Sequence, residues 1–310
     1  MIRLVLLIAG FALLIIQQYI QPISAQSQLI IFLVGIVLLG IPHGAADLLV
    51  ATRNAENNQK SFSKLAFFAN YLGRLALFGI IIWFFPLAGN ILFILFAAYH
   101  FGETDLHHFK TQNIVGKLFI ISYGLVILAV ILLHHFEEVK PMFQLVDSQV
   151  KYGTFIIWLD EFRYIILLSF GILFFAISLL YFFTNKIILR DKLEFLLRFA
   201  TILFILYQLP MILGFTFYFI VWHSVLSLLN IINYLRKDNV FSTQLIFKQI
   251  GIYSILAMVG IVLFGSAGFM FVNNDTMTIY VFLGLAVLTA PHMQIMHDMY
   301  KSMRFSNPSN

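Results

Sequence analysis

The sequence predicts an all-α fold, a polytopic bundle of transmembrane helices, and three observations carry that expectation. Hydrophobic residues make up 61% of the 310 positions and charged residues only 11%. Several apolar runs reach the 18 or more residues needed to cross a hydrocarbon core of roughly 30 Å. Basic residues also recur between alternate pairs of those runs. About ten spans (8–10) are expected, approximately 3–21, 28–52, 65–85, 90–106, 114–134, 164–184, 193–213, 216–235, 249–272 and 276–298.

The first run resembles a signal peptide in having Arg3 ahead of an apolar stretch and Ala25 near a cleavage point. Ile23 fits the small-residue position poorly, so a retained helix is expected. The connections then alternate in charge. Arg3, then Arg53, Lys60 and Lys64, then Lys110 and Lys117, fall on one side. Lys186, Arg190 and Lys192, then Arg236, Lys237 and Lys248, and finally Lys301 and Arg304 fall on the same side. Opposite lie short, nearly uncharged turns near 22–27, 86–89, 214–215 and 273–275, and one longer connection, 135–163. In that connection acids (Glu137, Glu138, Asp147, Asp160, Glu161) outnumber bases (Lys140, Lys151, Arg163). The positive-inside rule therefore orients both termini toward the cytoplasm. No internal repeat, low-complexity tract or soluble domain interrupts 1–310, which reads as a single integral-membrane domain with a short mobile tail over about 301–310.

The net charge of +5 does not mark a nucleic-acid binder, because its basic residues are scattered over short loops. With no cysteine, disulfides, iron–sulfur clusters, thiol haem attachment and thiol nucleophiles are excluded. Nine histidines remain. Four of them, His43, His100, His223 and His292, fall inside the second, fourth, eighth and tenth predicted spans, where an ionisable group is costly and is kept for a task. Those spans all run from outside to inside, which puts the four rings very roughly 10–25 Å below the outer boundary at about 1.5 Å per residue. Facing helices of a bundle build metal sites in this way. Separate hydrogen bonding to neighbouring helices accounts for one such histidine more readily than for four at similar depth.

The local sequences add carboxylates. Pro42-His43-Gly44-Ala45-Ala46-Asp47 puts Asp47 one helical turn after His43, where it can accept the second ring N–H of a ligating histidine on its own or a neighbouring helix. Pro42 and the glycines predict a kink with close backbone approach. In His100-Phe101-Gly102-Glu103-Thr104-Asp105, Glu103 lies one turn past His100, while Asp105 is equally well read as solvated at the interface. Trp222-His223-Ser224 and Pro291-His292 complete the set. His297 and Asp298 fall near the inner surface, His107 and His108 in a solvated loop, and His134 and His135 at an outer helix end suited to capping or to interface placement. No His-Glu-x-x-His, phosphate-binding glycine loop, Gly-x-Ser-x-Gly or dinucleotide fingerprint is present.

Taken together, the motifs around His43, His100, His223 and His292, in that order on successive spans, resemble the Brp/Blh family of bacterial and archaeal membrane β-carotene 15,15′-dioxygenases. The resemblance implies cleavage of the central double bond of β-carotene by O₂, giving two all-trans-retinal for a rhodopsin-type pump. It also implies Fe(2+) held by histidines of these motifs, with Asp47 as a motif partner. Where many members carry a second histidine four residues after the one matching His223, this chain has Ser227. Either His292 is then the fourth ligand or three histidines and water suffice. The chemistry agrees: imidazole alone does not select the metal, but oxygenation of a polyene requires a redox metal, which favours iron. A carotenoid dissolved in membrane lipid reaches a site at that depth laterally, and 35 phenylalanines and 13 tyrosines are available to line its path or to pack helices. Two other classes fit buried histidines: a bis-histidine haem protein carrying electrons, and a proton-coupled membrane transporter.

Overall fold

In the computed structural model, residues 1–140, 153–237, 241–269 and 277–305 are described, and among them every regular element is helical. The long helices are α1 (Ile2–Ile20), α2 (Ala25–Asn57), α3 (Lys64–Phe84), α4 (Pro86–Leu106) and α5 (Ile114–His134). They continue with α6 (Gly153–Thr184), α7 (Leu189–Gln208), α8 (Met211–Arg236), α9 (Thr243–Phe269) and α10 (Met277–Phe305). Each corresponds to one predicted span. Seven helices among the described residues are long and apolar enough to cross a membrane: α1, α2, α3, α5, α6, α8 and α9. α4 is diluted by Asn90, His100 and Glu103, and α7 by a charged first half from Arg190 to Arg198.

Serine and asparagine side chains start several of these helices by accepting an otherwise unbonded backbone N–H. Ser24 accepts from Ser27, Ser63 from Ala66 and Asn113 from Gly116. α10 runs on to Phe305, so residues 301–305 extend a helix where a tail was expected. The rest of that tail (306–310), the turn near 273–275 and the middle of the acidic 135–163 connection (141–152) lie outside the described residues.

The chain divides into two compact units. The first comprises Met1–Ile36 and Phe101–Val225, the second Val37–His100 and Leu226–Asn310. In the first unit α5 packs along α6, and α1 packs on α7 and α8. Its core is aromatic. The Phe119 ring stacks on Tyr181 at 4.4 Å, and Phe174 packs on Phe199 at 4.5 Å, with Phe195 wedged among them. The lipid-directed character of α6 is visible in Leu168, Phe175 and Phe183, the last 85% exposed. A face of that apolarity is stable against hydrocarbon and costly against water. Gly102 of α4 marks the tightest approach in this unit, since a Cβ there would overlap the carbonyl oxygen of Ile120 on α5. In the second unit, α10 packs on α2 and α3, and α9 packs on the Ile41–Ala45 stretch of α2. Leu49, Val50, Ile231, Leu235 and Met296 form its apolar core.

Two of the helices that carry the four predicted ligands depart from α geometry. α2 widens into a π-helical turn at Ile36–Gly40, directly before Pro42. Proline lacks an N–H and its ring collides with the carbonyl four residues back, here Leu38, which lies inside that wider turn. α8 is π-helical over Thr216–Ser224, and the Ser224 hydroxyl donates to the Phe219 carbonyl at 2.8 Å. The expected kink at Pro42 is thus a change of helical pitch. Close backbone approach does not extend to Gly44, where no described atom beyond its chain neighbours and its own helix backbone lies within 4 Å of a would-be Cβ.

Candidate metal centre

Three of the four predicted ligands meet within the second unit. α2 presents His43, α4 presents His100 and α10 presents His292, all buried. The His43 and His292 rings lie 4.9 Å apart in an edge-on arrangement, and those of His100 and His292 5.1 Å apart, also edge-on. His43 and His100 each offer a ring nitrogen within 4.8 Å of the other. Imidazoles gathered edge-on in an apolar interior gain little from one another, but a cation among them would draw their lone pairs together.

Asp47 orients one member of this group. The Nδ1–H of His292 donates to Asp47 Oδ1 at 2.7 Å, and the Tyr71 hydroxyl of α3 donates to Asp47 Oδ2 at 3.2 Å. The carboxylate therefore serves a histidine on a neighbouring helix, one of the two arrangements the sequence allowed. With Nδ1 carrying the proton, the Nε2 lone pair of His292 is available. That atom is buried and has no hydrogen-bond partner among the described residues. Carboxylate, imidazole and an available ring nitrogen in series are the usual support of a metal-ligating histidine, so the donor set fits a divalent transition metal. Tyr71 was not foreseen, because a tyrosine in an apolar helix carries no signal of which carboxylate it will meet.

His223 and Glu103 belong to the first unit. His223 is fully buried on the π-helical part of α8, 4.7 Å from the Phe101 ring and stacked near Phe219. Glu103 is also buried.

Asp105 corrects an expectation. It is not solvated at the interface but buried, and it accepts from the Tyr123 hydroxyl at 2.6 Å, the Tyr218 hydroxyl at 3.2 Å and Trp222 Nε1 at 3.0 Å. One carboxylate thereby ties α4 to α5 and α8 at the residue preceding His223. Three donors on one acidic group offset much of the cost of burying it. The other histidines have local partners. His107 Nδ1 bonds the Thr104 carbonyl at 2.8 Å, and His135 Nε2 donates to the Leu206 carbonyl at 3.0 Å near the end of α7, capping being one of the two roles expected there. His108 is exposed in the turn after α4, as expected of a solvated loop, and Arg3 Nη2 approaches its Nδ1 at 3.4 Å.

Fold and site together define an all-helical membrane protein with an imidazole cluster buried in its helices. The family model for β-carotene 15,15′-dioxygenase matches residues 34–300, most of the chain, and the protein belongs to that family. Searches among curated proteins and among solved structures return no match.

Proposed function

We propose that this chain cleaves β-carotene at its 15,15′ double bond with O₂, one oxygen atom going to each carbon, to give two molecules of all-trans-retinal. The observation that carries the metal centre is the convergence of His43, His100 and His292, with Asp47 holding the Nδ1–H of His292. Fe(2+) is the metal proposed, and His223 is assigned to the same ligand set from its sequence motif. His292 as a ligand compensates for Ser227, which stands where many relatives have a further histidine. When bound, iron(II) supplies the one-electron chemistry that lets O₂ react with a closed-shell polyene.

The chain's own residues set the conditions for that chemistry. Asp47 fixes the tautomer and direction of the His292 ring, and Tyr71 fixes Asp47. The apolar helices exclude water and admit a substrate dissolved in the bilayer. Glu103 is proposed as a further positioning carboxylate. The placement that goes with this reading is a multi-pass protein of the cell membrane with both termini in the cytoplasm, functionally linked to a retinal-binding rhodopsin.

The test is retinal content, by chromatography, in a β-carotene-accumulating bacterial host expressing the chain or its His43→Ala variant. Retinal from the wild type alone, with loss of carotene colour, supports the reading. A well-expressed, folded wild type that makes no retinal when supplied with iron and oxygen would overturn it.

A further inference from the structure

A second site lies in the second unit, at the ends of α2, α8 and α10. There a cavity of about 770 Å³ opens among Arg53, Asn57, Lys60, Tyr234, Lys237 and Lys301. Its lining contains four cationic side chains and one carboxylate, Asp298, which is itself engaged by the Gln294 amide at 3.1 Å. Arg53 is built into the wall. It is buried, donates to the Lys237 carbonyl at 3.0 Å and approaches Glu56 at 3.6 Å. Lys60, Lys237 and Lys301 are exposed and form no ion pair with an acid among the described residues. Asn57 donates to the Tyr234 hydroxyl at 2.9 Å, so the polar floor is held in place by its own hydrogen bonds.

Three unneutralised lysines, Lys60 just past α2, Lys237 just past α8 and Lys301 on α10, face one polar cavity, repel one another and are drawn together by a shared anion. The number of donors exceeds what one carboxylate uses and suits a tetrahedral oxyanion with several acceptor atoms, and the cavity leaves room for a larger group that carries it. We propose that this cavity binds a phosphate group, carried by an anionic membrane lipid or free in solution. Basic pockets at helix ends on the cytoplasmic side are suited to lipid headgroups, and these ends lie among the basic connections of the chain. Arg53 follows Asp47 by six residues on α2, and Lys301 follows His292 by nine on α10, about 9 and 14 Å along the helices. An anion at this end would clamp the two helices that carry the Asp47–His292 bond. The site does not depend on the reaction assigned above.

The experiment uses the full-length protein in uncharged detergent, mixed with phosphatidylglycerol or phosphatidylcholine and read by native mass spectrometry. Inorganic phosphate is titrated separately by calorimetry. The comparison is with the Lys60→Gln/Lys237→Gln/Lys301→Gln protein and with the triple Lys→Arg protein. Retention of one phosphatidylglycerol in preference to phosphatidylcholine is expected, weakened about 100-fold by the three glutamines and kept by the three arginines. Saturable phosphate binding with the same dependence on the lysines would support the site with a soluble source. Lipid retention without headgroup preference and no phosphate binding, or either kind of binding undiminished in the glutamine protein, would overturn it. Should the triple variant fold poorly, Lys60→Gln and Lys301→Gln alone read the same loss, since both side chains are exposed.

Discussion

His292 on α10 donates its Nδ1–H to Asp47 on α2 across 2.7 Å, and both side chains are buried. Two residues 245 positions apart in sequence thus share one proton within the second unit. Asp47→Asn keeps the size of the group but removes its charge, and the amide can turn its NH₂ toward the ring. The expected result is a roughly 10–100-fold loss of metal affinity or retinal formation, the usual effect of losing a ligand's supporting carboxylate. Iron content of the purified variant, beside retinal yield, checks this. Wild-type iron content and yield would show that Asp47 is only a packing residue.

The histidines themselves should fail differently. Alanine at His43, His100 or His292 removes a nitrogen from the cluster, and each single variant is expected to lose bound iron and nearly all retinal formation. His223→Ala tests the fourth assignment, which stands on its motif. A His223→Ala protein retaining both iron and activity would reduce the site to the residues of the second unit. Ser227→His asks the complementary question, and tighter iron retention is expected if a ligand position at Ser227 can still be filled.

The helices, and the burial of four histidines inside them, were legible in the sequence because both signals are local. An apolar run announces a span, and an imidazole inside one announces a cost. The Asp47–His292 pair was legible only as a class, since spacing along α2 cannot say which helix lies beside it. Asp105 was left open in the sequence because a carboxylate near a helix end is ordinarily solvated, and only the packing of α5 and α8 over it reveals otherwise. Tyr71 and Tyr123 were not legible at all: hydroxyl direction depends on side chains brought together from distant sequence.

Asp105 supports its neighbours unequally. Interhelical hydrogen bonds in bilayers average only about 0.6 kcal/mol, with a maximum near 1.7. Tyr218→Phe, which removes the 3.2 Å contact, should therefore cost under about 1 kcal/mol, and Tyr123→Phe, which removes the 2.6 Å one, more. Asp105→Ala strands three buried donors at once, at about 1–3 kcal/mol each. Thermal or denaturant unfolding of the three variants should rank them in that order. Equal stabilities for Asp105→Ala and Tyr218→Phe would contradict the hub.

Two glycines of the histidine motifs should respond oppositely to an added methyl group. At Gly102 a Cβ meets the Ile120 carbonyl, a backbone atom that cannot turn aside, so α4 and α5 must separate. Overpacking of this kind costs about 1–3 kcal/mol. At Gly44 no described atom beyond its chain neighbours and its own helix backbone lies within 4 Å, and alanine should fold normally with some gain from its better helix propensity. Melting temperatures of Gly102→Ala and Gly44→Ala decide the matter, and a Gly44→Ala protein less stable than Gly102→Ala would refute the contrast.

His135, just past the end of α5, gives the fold a pH dependence that can be measured apart from catalysis. Burial pulls its pKa down, but hydrogen bonding to Glu138 and to the Leu206 carbonyl outweighs burial, and the net shift is upward from 6.5. A folded-state pKa above the unfolded value means that the folded protein holds the proton more tightly. The stabilisation is therefore complete below the unfolded value of 6.5 and is lost as the pH rises through the folded-state pKa. Glu138 also accepts from the backbone N–H of Met211 at 3.1 Å, so the same carboxylate caps the start of α8. In His135→Gln the amide can still donate to Leu206 but cannot titrate. Unfolding temperatures measured from about pH 6 to about pH 9 should fall more steeply for wild type than for His135→Gln. Parallel slopes would mean that His135 holds its proton no more tightly folded than unfolded. Glu138→Gln should flatten the slope too, and it should lower stability across the whole range because a neutral amide is the weaker cap for the Met211 N–H.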